Sequence, residues 1–416
     1  MNGLRIILAD PDPTGLPAAV WLLKFLLVFT FVLHLFFMNV VLGGGLVWLW
    51  ANWRARRFGK SGVRPSASSG RGELVEPRSP GSEVMRGRTS DAGHRVEPST
   101  SDLGPRTSDH EVLARAIGRV LPVATAFAIT TGVAPLLFTQ LLYGQLFYTS
   151  SVLMAWPWLA VVGLLLAGYY ANYGIFASRP GTLRAVSLGT LSVLLFAAIG
   201  FLFTNNMTLM LRPELHAPLY LASDAGLHTN MADTWVWPRF AHMLVGSLAV
   251  TGLVVAWIPR IRRGFDPHSA GWVGRYGTRL FMAATLVEFL VGVGFFFALP
   301  RPVKDVFLGG RTPDALLVVA GAAFALAAVA IVRRSLLVGS CATIVALADM
   351  AVVRHRVRAV LLEPYFQPDS LPVVPQAAVF VLFALVLVAG LVIVAWMIWK
   401  FVTAAPARAG EGVAGV

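Results

Sequence analysis

Arg239 and His242 stand three residues apart in T-W-V-W-P-R-F-A-H-M-L-V-G-S-L-A-V-T-G-L-V-V-A-W, residues 234–257. Three residues is close to one helical turn, so on a helix the two side chains share a face. A histidine ring nitrogen is a haem-iron ligand, and a guanidinium one turn away is the partner a haem propionate needs. The alternative is a polar side chain hydrogen-bonded to a neighbouring helix. His34 offers the same choice in another apolar stretch, with Met38 one turn further on the same face. An ionisable group deep in such a stretch is a functional candidate by default, as a ligand or a proton relay. Glu288 lies near the middle of a third apolar stretch, where a carboxylate belongs either to a proton path or to a buried pair.

The elements that must position these residues are membrane helices. The chain has 416 residues, is 56% hydrophobic with a mean hydropathy of +0.70, and only 13% of it is charged. Those values exclude a soluble domain and indicate an all-α, polytopic membrane helix bundle in contact with the lipid bilayer. Hydropathy places nine spans at 18–53, 120–143, 152–176, 186–211, 234–257, 279–299, 315–332, 336–353 and 374–401. Pro238 suits the first turn of the fifth span, where its missing N–H costs nothing, and Trp235, Trp237 and Trp257 bracket that span as interfacial aromatics do. On this register His242 lies about 6 Å beyond Pro238, just inside the hydrocarbon, and His34 about 15 Å beyond Lys24, near mid-membrane. Pro122 is read as the first turn of span two, and Pro135 as a candidate break within it.

The organisation is then an N-terminal arm with the first span (1–53), a segment at 54–118, the remaining bundle (119–403) and a C-terminal tail (404–416). Residues 54–118 are Ser, Gly, Pro and Arg with few large apolar side chains, and V-E-P and R-T-S-D each occur twice. Such a composition cannot bury a core and predicts a disordered, low-complexity cytoplasmic insertion, with His94 and His110 solvated. The net charge of +13 comes from basic residues between apolar spans, which is the positive-inside pattern, and leaves no basic face for nucleic acid. Counting those loops places the N-terminus outside and the C-terminus in the cytoplasm. His242, the end of span four, Asp349, Met350 and His355 then lie towards the outer face, where Arg212, Arg239, Arg301, Lys304 and Arg354 form a cationic ring. A single cysteine, Cys341, excludes an internal disulfide and a C-x-x-C-H attachment site, so any haem is held non-covalently, as haem b.

Nine spans with the N-terminus outside, the histidine in L-K-F-L-L-V-F-T-F-V-L-H, T-N-N-M-T-L-M closing span four, and R-F-A-H-M-L-V-G-S-L-A-V-T-G on span five together resemble subunit I of the cytochrome bd quinol oxidases. The likeness covers about residues 22–299 without the insertion. It implies a subunit of the bacterial cytoplasmic (inner) membrane that binds haem b. It further implies that His242 corresponds to the low-spin haem ligand on span five, and His34 to the span-one histidine that serves a high-spin haem.

The chain also departs from that family. The long quinol-binding segment after span six is reduced to about 300–314, and span seven has neither Met nor His to complete the low-spin site. The late-span G-R-Q-P-W signature is absent, and span two lacks the family's glutamates. Met350, His355, Met207 and Met210 are the candidates for the missing axial ligand, and a methionine there would raise the haem potential relative to a second histidine. The expected function is an electron relay between the quinone pool or a redox partner subunit and an outer-face c-type cytochrome, without oxygen reduction. The competing class is a haem-free membrane scaffold or transporter subunit that keeps the fold.

Overall fold

A computed structural model describes residues 15–61, 107–262, 264–309, 311–333 and 335–403. The N-terminal arm up to residue 14, the C-terminal tail at 404–416, His94 and most of the low-complexity segment lie outside the described residues. Eleven α-helices follow one another: α1 (Val20–Ser61), α2 (Thr107–Leu153), α3 (Ala155–Phe176), α4 (Leu183–Leu209), α5 (His216–Ala222), α6 (Val236–Ile261), α7 (Pro267–Ala298), α8 (Arg301–Gly309), α9 (Arg311–Val332), α10 (Leu336–Leu362) and α11 (Ala377–Thr403). No strand is present among the described residues. The backbone of Leu16 instead makes one parallel bridge to Val373, with hydrogen bonds to Pro372 and from Val374. The fold is an all-α polytopic helix bundle. Among the described residues eight helices are long and apolar enough to cross a membrane, and α9 contributes a further apolar stretch, Leu316–Ile331, at the seventh expected span.

Several helices outrun their hydropathy windows. α1 and α2 are 42 and 47 residues long, or about 63 and 70 Å at 1.5 Å per residue, roughly twice the hydrocarbon thickness. Hydropathy marks where lipid is, whereas Arg, Ala, Leu and Lys continue a helix beyond it. The segment expected to be disordered is therefore shorter than 54–118: residues 54–61 complete α1, and 107–118 open α2. His110, expected in solvent, is 1% exposed and lies edge-on to Trp50 and Trp272. Leu113, Ala114 and Ile117 pack there against Trp48 and Ala51. Pro122 lies well inside α2, not in its first turn. α2 also runs through Pro135 and breaks at Tyr143, whose backbone leaves the helical region (φ −135°, ψ 29°).

α1 is the central element, packing against α2, α4, α6 and α10. α6 and α7 form a close antiparallel pair. A Cβ on Gly252 would strike the backbone of Phe281, and one on Gly277 the backbone of Ala256, so glycine is what lets these helices touch. Gly43 plays the same part between α1 and α6, where its missing Cβ leaves room for Ser247 and Thr251. α11 differs from the rest: none of the residues in its apolar window is buried, and Phe383 meets Phe138 edge-on at 5.3 Å.

Within the apolar layer α2, α3 and α4 are joined by a polar chain. Asn172 Nδ2 donates to Thr125 Oγ1 at 2.9 Å, and Ser192 Oγ donates to Asn172 Oδ1 at 2.7 Å. All three side chains are buried. Asn172→Ala leaves two buried hydroxyls short of a partner and is expected to lower stability by about 0.6–1.7 kcal/mol, the range for interhelical hydrogen bonds in bilayers. Thermal unfolding in detergent checks it; an unchanged midpoint would show that the chain of bonds contributes nothing net.

Candidate functional site

Register between α1 and α6 is set by Gly43 against Ser247 and by Thr251 Oγ1, which donates to Asn39 O at 3.3 Å. His34 Nδ1 is 3.0 Å from Ala128 O on α2, and its ring rests on Gly132, where a Cβ would come within 2.8 Å of Cε1. A carbonyl oxygen only accepts, so Nδ1 carries the proton and Nε2 keeps its lone pair.

His242 meets α7. Its Nδ1 is 3.1 Å from Glu288 Oε1, without the alignment of a full hydrogen bond. The two side chains occupy each other's glycines. A Cβ on Gly292 would lie 3.2 Å from His242 Cε1, and one on Gly246 would lie 2.8 Å from Glu288 Oε1. His242 and Gly246 are four residues apart, as are Glu288 and Gly292, so on two antiparallel helices each polar side chain fills the notch opposite. The open alternative for Glu288, a proton path or a buried pair, is thus answered in part: the carboxylate is 6% exposed and sits against the histidine, while its Oε2 has no partner.

Three guanidiniums converge beside the histidines. Arg239 Nη1 donates to Thr208 Oγ1 at 2.9 Å. The Arg354 guanidinium lies 4.2 Å over the Phe31 ring and that of Arg358 4.9 Å over Tyr143. Arg354 is within Coulomb range of His34, Arg239 and Arg358. Arg358 is buried and the other two are half-buried. None of the three is ion-paired to a carboxylate among the described residues.

The remaining sequence candidates divide. Met207 and Met210 are enclosed in the largest core cluster with Tyr143, Phe147 and Trp235. The asparagines of T-N-N-M-T-L-M are hydrogen-bonded. Asn205 Oδ1 accepts from Asn230 N at 2.6 Å, and Asn206 bonds Ser150 and Ser151 on α2. Met350 is half-buried on α10, one turn from Arg354 and on its face. The charges around His355 are Arg358, Lys24, Arg356 and Asp369, which places it beside the Lys24–Asp369 ion pair (2.6 Å) at the rim. Arg212 does not join the cationic cluster, because Glu214 and Asp233 both pair with it. Burial works against its charge, but those carboxylates outweigh it and push the guanidinium above its ordinary range. Lys304 is used locally, donating to Phe297 O at 3.1 Å.

Two features escaped sequence reasoning. Arg358 was hidden because hydropathy ended span eight at 353, although Met350, Arg354 and Arg358 repeat every four residues as one helix face would. The His242–Glu288 contact was signalled only by the matching H-x-x-x-G and E-x-x-x-G spacings. Compared with known proteins, the chain matches no family model and no curated protein sequence.

Proposed function

We propose that this chain is a b-type haem-binding membrane subunit, similar to subunit I of the cytochrome bd oxidases. It relays electrons between the quinone pool or a redox partner and an outer-face acceptor such as a c-type cytochrome, without reducing oxygen. The observation that carries the reading is the trio Arg239, Arg354 and Arg358, which stands beside two histidines with no carboxylate among the described residues to pair it. Charges gathered in a membrane interior are costly unless compensated. A haem brings two carboxylates, and a guanidinium fork fits a carboxylate well.

The donor set fits a haem better than a bare ion. Among the described residues no group of three or more His, Cys, Asp or Glu side chains gathers to hold a metal. A haem already supplies four ring nitrogens and asks the protein for one or two axial ligands. His242 would ligate one haem, and His34 a second where the chain holds two. Each has Nδ1 directed at an oxygen, of Glu288 and of Ala128, which leaves Nε2 as the donor atom. Arg239, Arg354 and Arg358 would hold the propionates. Of the second-ligand candidates, Met350 is favoured, because it shares a face of α10 with Arg354. When bound, the haem supplies a one-electron iron couple; the chain's part is to ligate it, neutralise it and shield it from water. The shortened quinol segment and the absent late-span signature support an electron donor or acceptor on a partner and no oxygen reduction.

A haem-free scaffold is the competing reading, and the His242–Glu288 contact would serve it as an interhelical pair. It gives no reason for three guanidiniums that have no carboxylate partner among the described residues. The optical spectrum of protein purified from haem-replete cells separates the two. A Soret band with haem b α-bands on reduction is expected. A colourless protein would remove the cytochrome reading, and rapid oxygen consumption with quinol would remove the claim that the oxidase activity is lost.

A further inference from the structure

Glu288 has no place among the ligands or the propionate partners, yet it is the residue nearest in character to a device for controlling one. It is buried, it belongs to a different helix from His242, and it faces the ring nitrogen that a ligand bond through Nε2 leaves behind. We infer that Glu288 is the positioning residue of the His242 ligand, fixing the imidazole's tautomer and orientation and lowering the reduction potential of the haem it holds. This rests on the haem reading above.

The geometry argues for a dedicated contact. Nδ1 to Oε1 is 3.1 Å, and both side chains are seated in glycine notches that any larger residue would fill: Gly246 under the carboxylate and Gly292 under the imidazole. A few turns inward the same two helices are locked by Gly252 and Gly277, so the pair cannot drift apart without separating α6 from α7. Phe295 lies tilted against the His242 ring at 5.9 Å between centroids, which limits its rotation on another side. Ligand histidines commonly donate their second nitrogen to a carboxylate, which fixes the ring and raises its basicity. An anionic partner at Nδ1 gives the imidazole part of an imidazolate's charge, and that favours the oxidised, more positive iron.

Wild type, Glu288→Gln and Glu288→Asp are purified from haem-replete cells, and haem content and midpoint potential are read by redox titration of the α-band. Glutamine keeps the size and removes the charge; aspartate keeps the charge and withdraws it by one methylene. The expected result is haem retained in all three, with the potential shifted upward in both variants and further in the glutamine form. Both variants titrating at the wild-type potential with haem bound would overturn the assignment. So would a glutamine variant that loses haem or fails to fold while the aspartate form titrates as wild type, because Glu288 would then be only a structural partner. A wild type without any haem is a separate result: it fails the cytochrome reading itself, before Glu288 is tested.

Discussion

His242→Ala is expected to abolish at least one haem on the proposed reading: the Soret absorbance per mole of purified protein should fall by the share of that haem, to nothing if there is only one. The reason is the absence of a substitute. On the same face of α6, Arg239 and Gly246 are the neighbours one turn to either side, and neither has a lone pair for iron. Met243 is adjacent in sequence but points about 100° away, and its Cε fills the space beside Gly200 on α4. Met243→Ala is therefore the control and keeps its haem. His34→Ala removes a second haem if the chain holds two, and otherwise leaves the spectrum intact. Full haem content in the His242 variant would show that the ligand lies elsewhere and would detach Glu288 from the metal as well.

The second prediction has two signs. Arg354→Met lowers haem content, because one of the propionate partners is gone. The same substitution raises the stability of the haem-free protein. In the absence of an anion Arg354 is a desolvated cation repelled by Arg239 and Arg358, and an apolar side chain of similar length relieves that. Replacing buried charged groups by apolar ones is commonly neutral or stabilising by about 1–4 kcal/mol. Thermal unfolding of protein made with and without haem supply measures both arms. If Arg354→Met destabilised the haem-free form, the guanidinium would be acting as a structural strut over Phe31, and the case for an anionic ligand would lose its main support.

How much of this was readable from the amino acids depends on whether one helix or two are needed to see it. The all-α membrane bundle follows from apolar runs, and Arg239 with His242 from spacing on a single helix. Where hydropathy failed, it failed for a stated reason: a membrane window ends at the lipid boundary, so it cut α10 before Arg358 and α2 before His110. The His242–Glu288 contact needs the register of α6 against α7, which glycine contacts fix and no single helix encodes. The burial of Met207 and Met210 was not readable from T-N-N-M-T-L-M, because a polar, sulfur-rich helix end looks the same whether its side chains face a ligand or the core. The cationic trio combines α6 with α10, more than a hundred residues apart, and was visible in sequence only as scattered basic residues on one expected side.

The short bridge between Leu16 and Val373 has a consequence of parity. Two backbone segments that share hydrogen bonds lie on one side of a membrane, so the chain between them must cross it an even number of times. With α5 and α8 too short to cross, at seven and nine residues or about 10 and 14 Å, the long helices between the two points are α1, α2, α3, α4, α6, α7 and α10. That is seven, an odd count. Among the described residues only α9 can supply the eighth crossing, so the helix that carries the apolar stretch Leu316–Ile331 is expected to traverse the bilayer. At 22 residues α9 is about 33 Å long, enough for the roughly 30 Å of hydrocarbon. α11 is then expected to make a ninth crossing.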